Sequence, residues 1–532
     1  MANNLYPILY KPGIQRDGTQ FQREYCSDGQ WIRFYRGKAK KIGGMRSLNY
    51  TNNAGRYNNI NSVFINNGAD LINVFFADPI GIYRASMNDD FQITNNIASI
   101  FPVGPQPPLR DDPNRLWQFV PITGALNNIS LNSIVALGTS NLNNILNTSA
   151  STLVNIKLDD LATQVQGLPP EVDASGGILY VNPRLYIYGK NGQVSWSKSN
   201  NCFDFTAANN SINISTDKII FGASIRGGSL SPTLLFWTPS SVIRLINVNS
   251  NNDTAAANIE LNFKKDVLTK DSSILSSRCV IEYDGTFYWP GTNRFFVYNG
   301  VVVHLENNIN RRYFFDNIDM NFRQRVFGVK NVGFSEMWWF YPEKLGAPNR
   351  PAVPAGTITR ALIYNLEENS WYDTQIFRDC GFFDNVTGDM YTLGSSLVAQ
   401  AVTKYLWKHE VGVNEVIVGG PNRLINSSFT TPTISWAAFN PMKELTGIDR
   451  WMELRRIEPD FLTAANSTIS VVVNTKEYAQ SGEENSELFP FQGNTEKIDM
   501  NIQGRHMTFT FSSTDNFEMG HIILLLSIGD GQ

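Results

Sequence analysis

Residues 279–305 read CVIEYDGTFYWPGTNRFFVYNGVVVHL, and this stretch limits the possible folds more than any other part of the chain. Turn chemistry alone divides it into four β-favouring runs, at 279–283, 286–289, 294–298 and 301–305. The connectors are Asp284-Gly285, the tetrad Pro290-Gly291-Thr292-Asn293, and Asn299-Gly300. Asp-Gly and Asn-Gly favour two-residue hairpin turns whose residues take positive φ. Three turns in such a short span predict a four-stranded antiparallel meander, the unit of a propeller blade. In this reading Asp284 is a turn residue chosen with Gly285, Trp289 packs as a wedge at a strand end, and His304 is a polar position on the last strand.

Comparable aromatic-rich segments recur on both sides without a strict repeated motif. They include INSVFINNGADLINVFFADPIGIYRAS from Ile60, RLYIYGKNGQVSWSKSNNCFDFT from Arg184, LLFWTPSSVIRLINV from Leu234 and EMWWFYPEK from Glu336. RALIYNLEENSWYDTQI from Arg360 and DMYTLGSSLVAQAVTKYLWKHE from Asp389 continue the series. At roughly 40 to 60 residues per blade the span holds six or seven blades. A single blade exposes two faces and two edges, so closure into a ring is the physical reason for repetition. Short helices are expected at 158–165 and at 316–323, the latter opened by a capping Asp. The fold expected is therefore all-β: a β-propeller of about six or seven four-stranded antiparallel blades, with an N-terminal arm and an additional C-terminal antiparallel β domain. The boundaries are 1–50 for the extended arm or hairpin, 51–410 for the propeller and 411–532 for the C-terminal β domain.

The charged fraction of 17% and the formal net charge of −4 argue against a chain whose main work is gripping nucleic acid by phosphate neutralisation. Cys26, Cys202, Cys279 and Cys380 are far apart, so free buried thiols are expected rather than a zinc site or a disulfide framework. The N-terminus lacks the layout of a signal peptide, and no apolar run approaches the ~20 residues of a membrane helix.

Little in the sequence suggests catalysis. The YDGTFYW run departs from the S-x-D-x-G-x-T-W box of sialidase-like propellers because Asp284 directly precedes its glycine. Glycoside hydrolysis needs two carboxylates facing each other across a cleft, and neighbours such as Asp89-Asp90 or Glu367-Glu368 do not supply that. His304, His409, His506 and His521 are isolated, with no metal-binding spacing. No catalytic residue, metal site or cofactor is expected. The clearest charge feature is WIRFYRGKAKKIGG, where Arg33, Arg36, Lys38, Lys40 and Lys41 alternate with aromatics and no acid intervenes. Such a cluster is a candidate contact for DNA or an acidic protein surface, against the plainer reading of a solvated hairpin tip. The cluster at Arg450, Arg455 and Arg456 reads the same way.

Several stretches together resemble the β-propeller tail proteins of short-tailed bacteriophages, the nozzle and tail tubular class. They are GIQRDGTQFQREYCSDGQWIRFYRGKAKKIGG from Gly13, NGQVSWSKSNNCFDFT from Asn191, LLFWTPSSVIRLINV, YDGTFYWPGTNRFFVYNG and FSEMWWFYP. IQGRHMTFTFSSTDNFEMGHIILLLSIGDGQ from Ile502 is similar to that family's last segment. The resemblance implies a non-enzymatic virion component, made in the host bacterial cytoplasm and assembled as a homo-hexameric ring. It would line the DNA exit channel during genome ejection through the host cell envelope. Its partners would be a tail adaptor or portal-proximal ring protein, tail fibre proteins and the transiently passing genomic DNA. The alternatives are a head-to-tail stopper or packaged-DNA stabilisation factor, and a carbohydrate-binding or sialidase-like propeller.

Overall fold

A computed structural model gives the fold. It describes the chain apart from residues 1–3, 20–23, 49–59, 68–71, 80, 89–92, 94–97, 102–115, 123–124, 127–128, 131–132, 140–151, 158–162, 165–171, 207–209, 226–232, 248–261, 397–402, 437–450, 479–480, 483–484 and 529–532.

Among the described residues seven four-stranded antiparallel units follow one another, each begun by one inner strand. The inner strands are Ser62–Asn67, Leu116–Ile122, Gly177–Val181, Phe221–Ser224, Ile281–Tyr283, Phe327–Asn331 and Cys380–Phe383, and they define blades 1 to 7. Except between blades 4 and 5, the inner strands of successive blades touch, and that of blade 7 touches that of blade 1, so the series closes into a seven-bladed propeller. Between blades 4 and 5 aromatic side chains make the contact: Trp237 and Trp289 meet edge to face at 5.5 Å. The fourth strand of blade 7 is Met45–Ser47, from the N-terminal segment, paired antiparallel with Lys404–His409.

The blades come closest at their inner strands, and two glycines mark how close. A Cβ at Gly328 of blade 6 would stand 2.6 Å from Ile281 of blade 5. One at Gly381 of blade 7 would stand 2.7 Å from Val329 and 2.9 Å from Phe327 of blade 6. Indoles also span the seams. Each buries its rings while its N–H donates to a neighbouring blade's carbonyl or loop. Trp117 Nε1 donates to Asp78 O (2.8 Å), Trp339 Nε1 to Cys279 O (2.9 Å) and Trp371 Nε1 to Glu306 O (2.9 Å).

Blade 5 lies within residues 279–305. Its strands are Ile281–Tyr283, Thr286–Pro290, Phe295–Tyr298 and Val302–Leu305. Asp284 (φ 48°) and Gly285 (φ 77°) form the expected two-residue turn, with Tyr283 opposite Thr286. Pro290 closes its strand, and Gly291 N donates to Arg294 O across a four-residue loop. The Asn299-Gly300 expectation needs correction. Tyr298 pairs with Val302, so the connector has three residues and only Gly300 (φ 113°) takes positive φ. Trp289 is fully buried and wedged against blade 4, and His304 lies exposed beside Phe296.

The helices also differ from expectation. An α-helix runs over Arg311–Asn317 and a 3₁₀ helix over Met320–Arg325, and the capping acid is Asp319, which accepts from Asn321 N. The helix expected at 158–165 lies mostly outside the described residues, and the part that is described, Thr163–Gln164, is a strand. All four cysteines are buried free thiols.

The second unit stacks two sheets over a shared core. One has the order Asn4–Pro7, Ile523–Ile528, Met452–Glu458, Ile498–Gly504. The other has the order Asp28–Gln30, Ser427–Thr430, His506–Ser513, Thr468–Lys476, Asn485–Gln492. The N-terminal segment, expected as an arm, thus adds a strand to each sheet and another to blade 7.

Replacing Gly381 by Val should force the two inner strands apart. The expected loss is about 1–3 kcal/mol of stability, the usual cost of overpacking, read as a lower midpoint in chemical denaturation. An unchanged midpoint would show that the inner strands are not in this contact.

Candidate functional site

The basic hairpin is the feature that sequence reading singled out, and its local structure follows from its pattern. Ile32–Tyr35 pairs with Lys38–Lys41 around Arg36 (φ 52°) and Gly37 (φ 71°), a tight turn with positive φ at both positions. Alternation then separates the side chains. Phe34 enters the core, stacking edge to face on Tyr372 at 5.7 Å, while Arg33 points into the seam with blades 6 and 7.

Arg33 is 1% exposed, which corrects the expectation of a partner or DNA contact there. Its guanidinium clamps Glu336 in a bidentate pair, with Nε to Oε1 at 2.9 Å and Nη2 to Oε2 at 3.0 Å. It also donates to Glu410, through Nη1 at 3.1 Å and through Nη2, and lies 3.4 Å from the Phe334 ring centroid. Glu336 further accepts from Trp338 Nε1 (2.9 Å), Asn331 Nδ2 (3.3 Å) and the Tyr372 hydroxyl. Burial works against the Arg33 charge, but the two carboxylates more than offset it and its pKa rises. Burial pushes the Glu336 carboxyl up, against the pull of Arg33.

Lys41 is also interior. Its ammonium donates to Ile425 O (2.7 Å) and Thr514 O (2.6 Å), and burial lowers its pKa to about 8. The other three basic residues stay at the surface. Arg36 stacks on Tyr35, Lys38 Nζ lies 3.2 Å from His521 Nε2, and Lys40 pairs with Glu518 at 3.4 Å. Arg455 and Arg456 lie on a strand of the second unit, paired with Glu453 (2.8 Å) and Asp499 (2.7 Å); Arg450 lies outside the described residues.

A second buried network, unforeseen from sequence, lies on the same blade. Asp373 accepts from Arg16 Nε (3.1 Å) and from Arg360, and Arg360 Nε donates to Glu343 at 2.8 Å. Thr359 Oγ1 donates to the other Glu343 oxygen at 2.7 Å. Burial would raise the Asp373 pKa, but Arg16 and Arg360 hold it below the usual carboxylate value. Glu336, Glu343, Arg360 and Asp373 all belong to or border blade 6, whereas Arg16 and Arg33 come from the N-terminal segment. Each of these carboxylates has both oxygens engaged by donors, so together they work as an anchor. The sequence signal for them was a charged residue inside an aromatic run, as in EMWWFYP and SWYDTQ.

Replacing Arg33 by Met should leave two uncompensated carboxylates at the seam and cost about 3–5 kcal/mol. The triple change R36S/K38S/K40S should stay within about 0.5 kcal/mol, as surface changes do. Denaturant titration of both variants checks this, and equal losses would refute the division into anchor and surface residues.

No family model matches the sequence, and no curated protein matches it. Similar solved structures include an exo-β-1,3-galactanase from Phanerochaete chrysosporium, at 11% identity and TM-score 0.31, covering 91% of this chain and 100% of that one. YCF48 bound to D1 peptide has 8% identity and TM-score 0.33, covering 70% and 92%. Chaetomium thermophilum Raptor has 7% identity and TM-score 0.34, covering 70% and 30%. At these scores the fold assignment rests on the strand pairings of this chain alone.

Proposed function

We propose that the chain is a structural protein of a short-tailed bacteriophage tail, at the station of the tail nozzle, where copies form a ring around the DNA exit path. The observation that carries the reading is the interweaving of the N-terminal segment, which adds strands to the second unit and to blade 7 and is anchored to blade 6 by two buried charge networks. A propeller tied in this way to a β sandwich is a stiff block suited to bearing load within a ring. The family-like stretches from Gly13, Asn191 and Ile502 support the same reading.

In this proposal DNA passes through the opening between copies. The bore of a single propeller is bridged by a side chain, since Arg278, just before blade 5, donates to Asn61 O, just before blade 1, at 2.6 Å. A duplex cannot thread that bore. The adaptor or fibre contact of the hairpin falls to Arg36, Lys38 and Lys40, the members of the basic cluster that reach the surface.

Electron microscopy of the purified recombinant protein, alongside turnover assays on a glycan panel, tests the proposal. Sixfold rings with an axial opening and no glycan cleavage are expected. A strictly monomeric protein that cleaves glycans would replace the proposal with the carbohydrate-active alternative.

A further inference from the structure

A cavity of about 510 Å³ opens where the chain leaving blade 7 meets the second unit. Val413 and Asn414 line it from the segment after blade 7, and Leu462, Ser467, Asp515 and Asn516 line it from two loops of the second unit. Thr463 Oγ1 ties these two loops together by donating to Asn516 O at 2.7 Å. The size is that of a small-molecule site, a class of cavity walled by apolar side chains and carrying a few fixed polar groups.

The polar groups on the walls are held from behind. Asp515 Oδ2 accepts from Thr468 N at 2.9 Å, and Asp515 N donates to Ser513 Oγ at 3.0 Å. Its Oδ1 has no hydrogen-bond or ion-pair partner among the described residues. Asn414 Oδ1 accepts from Ile425 N at 2.9 Å, which fixes the amide and leaves Nδ2 as its donor. The cavity thus offers a carboxylate acceptor and an amide donor beside the apolar surfaces of Val413 and the largely exposed Leu462.

Charge decides the class of ligand. Asp515 is the one ionisable side chain on these walls, and an anion would be repelled by it. A cation is disfavoured as well, because the buried Lys41 ammonium donates to Thr514 O at 2.6 Å, the carbonyl next to Asp515, and sets a positive charge behind the carboxylate. A neutral sugar fits what remains. Its hydroxyls donate and accept at once, matching the carboxylate and the amide, and its C–H face matches Leu462 and Val413. A lone carboxylate lacks the facing partner that glycoside hydrolysis requires, so such a site binds without cleaving.

We propose that this cavity binds one neutral hexose unit, with Asp515 Oδ1 and Asn414 Nδ2 on its hydroxyls and Leu462 against its C–H face. The proposal stands apart from the tail reading, because the cavity is complete within one copy.

Isothermal titration of the full chain with glucose, galactose, mannose and their methyl glycosides tests it, with the corresponding uronates and amino sugars as charged controls. At least one neutral sugar should bind saturably at about one per chain, more tightly than either of its charged counterparts. Asp515→Asn should weaken that binding about tenfold or more, the size of one charged hydrogen bond. Leu462→Ala, at an exposed position, should weaken it too and serves as the readout if D515N fails to fold. Methyl glycosides that bind as well as the free sugars assign the site to a glycan end, and binding of the free sugars alone assigns it to a free hexose; both support the proposal. It is overturned if no neutral sugar of the panel binds saturably, if a charged counterpart binds as tightly or more so, or if affinity is unchanged in a folded D515N or L462A.

Discussion

A lone propeller blade exposes two sheet faces and two edges, and here the closing strand that completes the ring is the three-residue segment Met45–Ser47. It pairs with Lys404–His409 on one side and with Glu415–Val416 on the other, so one continuous sheet leads out of blade 7 into the chain that follows. Met45 and Ser47 are fully buried, and Leu48 N donates to Leu406 O at 2.8 Å. Side chains hold the strand as well. Ser47 Oγ accepts from Val418 N at 3.0 Å, and Arg378 Nη2 lies 2.7 Å from the Met45 sulfur. Without this strand blade 7 would present an open edge, and the ring would lose one of its ties to the second unit.

The buried charges on blade 6 serve the same closure by a different force. A buried ion pair adds little net stability over a well-packed apolar pair, yet removing one partner is costly. Such pairs therefore select an arrangement more than they strengthen it. Arg33 satisfies Glu336 and Glu410 only if the hairpin sits at one register against blades 6 and 7, and Arg16 satisfies Asp373 only if the segment before it follows. With both seated, the chain is led to the position from which Met45–Ser47 closes the ring.

What the sequence made legible was local. The Asp284-Gly285 turn, the four strands around it and the buried wedge of Trp289 depend on neighbours a few residues away, and their pattern is written in the chain. Arg33 was misread because its partners lie 303 and 377 residues distant, where counting basic residues cannot find them. The closing strand was missed for the same reason, since MRS has no strand signal of its own and gains its pairing only from blade 7. Asn299-Gly300 gave a turn of the wrong length because the register of Val302 opposite Tyr298 comes from packing, not from the dipeptide. The mouth of the bore was illegible too, because Arg278 and Asn61 meet only after the ring has formed.

The central claim is that Met45–Ser47 is an integral strand of blade 7, and hydrogen–deuterium exchange on the full chain tests it most directly. Amides of residues 45–48 should be protected to the same degree as those of 404–409 and should open with them as denaturant is raised. Rapid exchange at 45–48 while 404–409 stay protected would contradict the closure described.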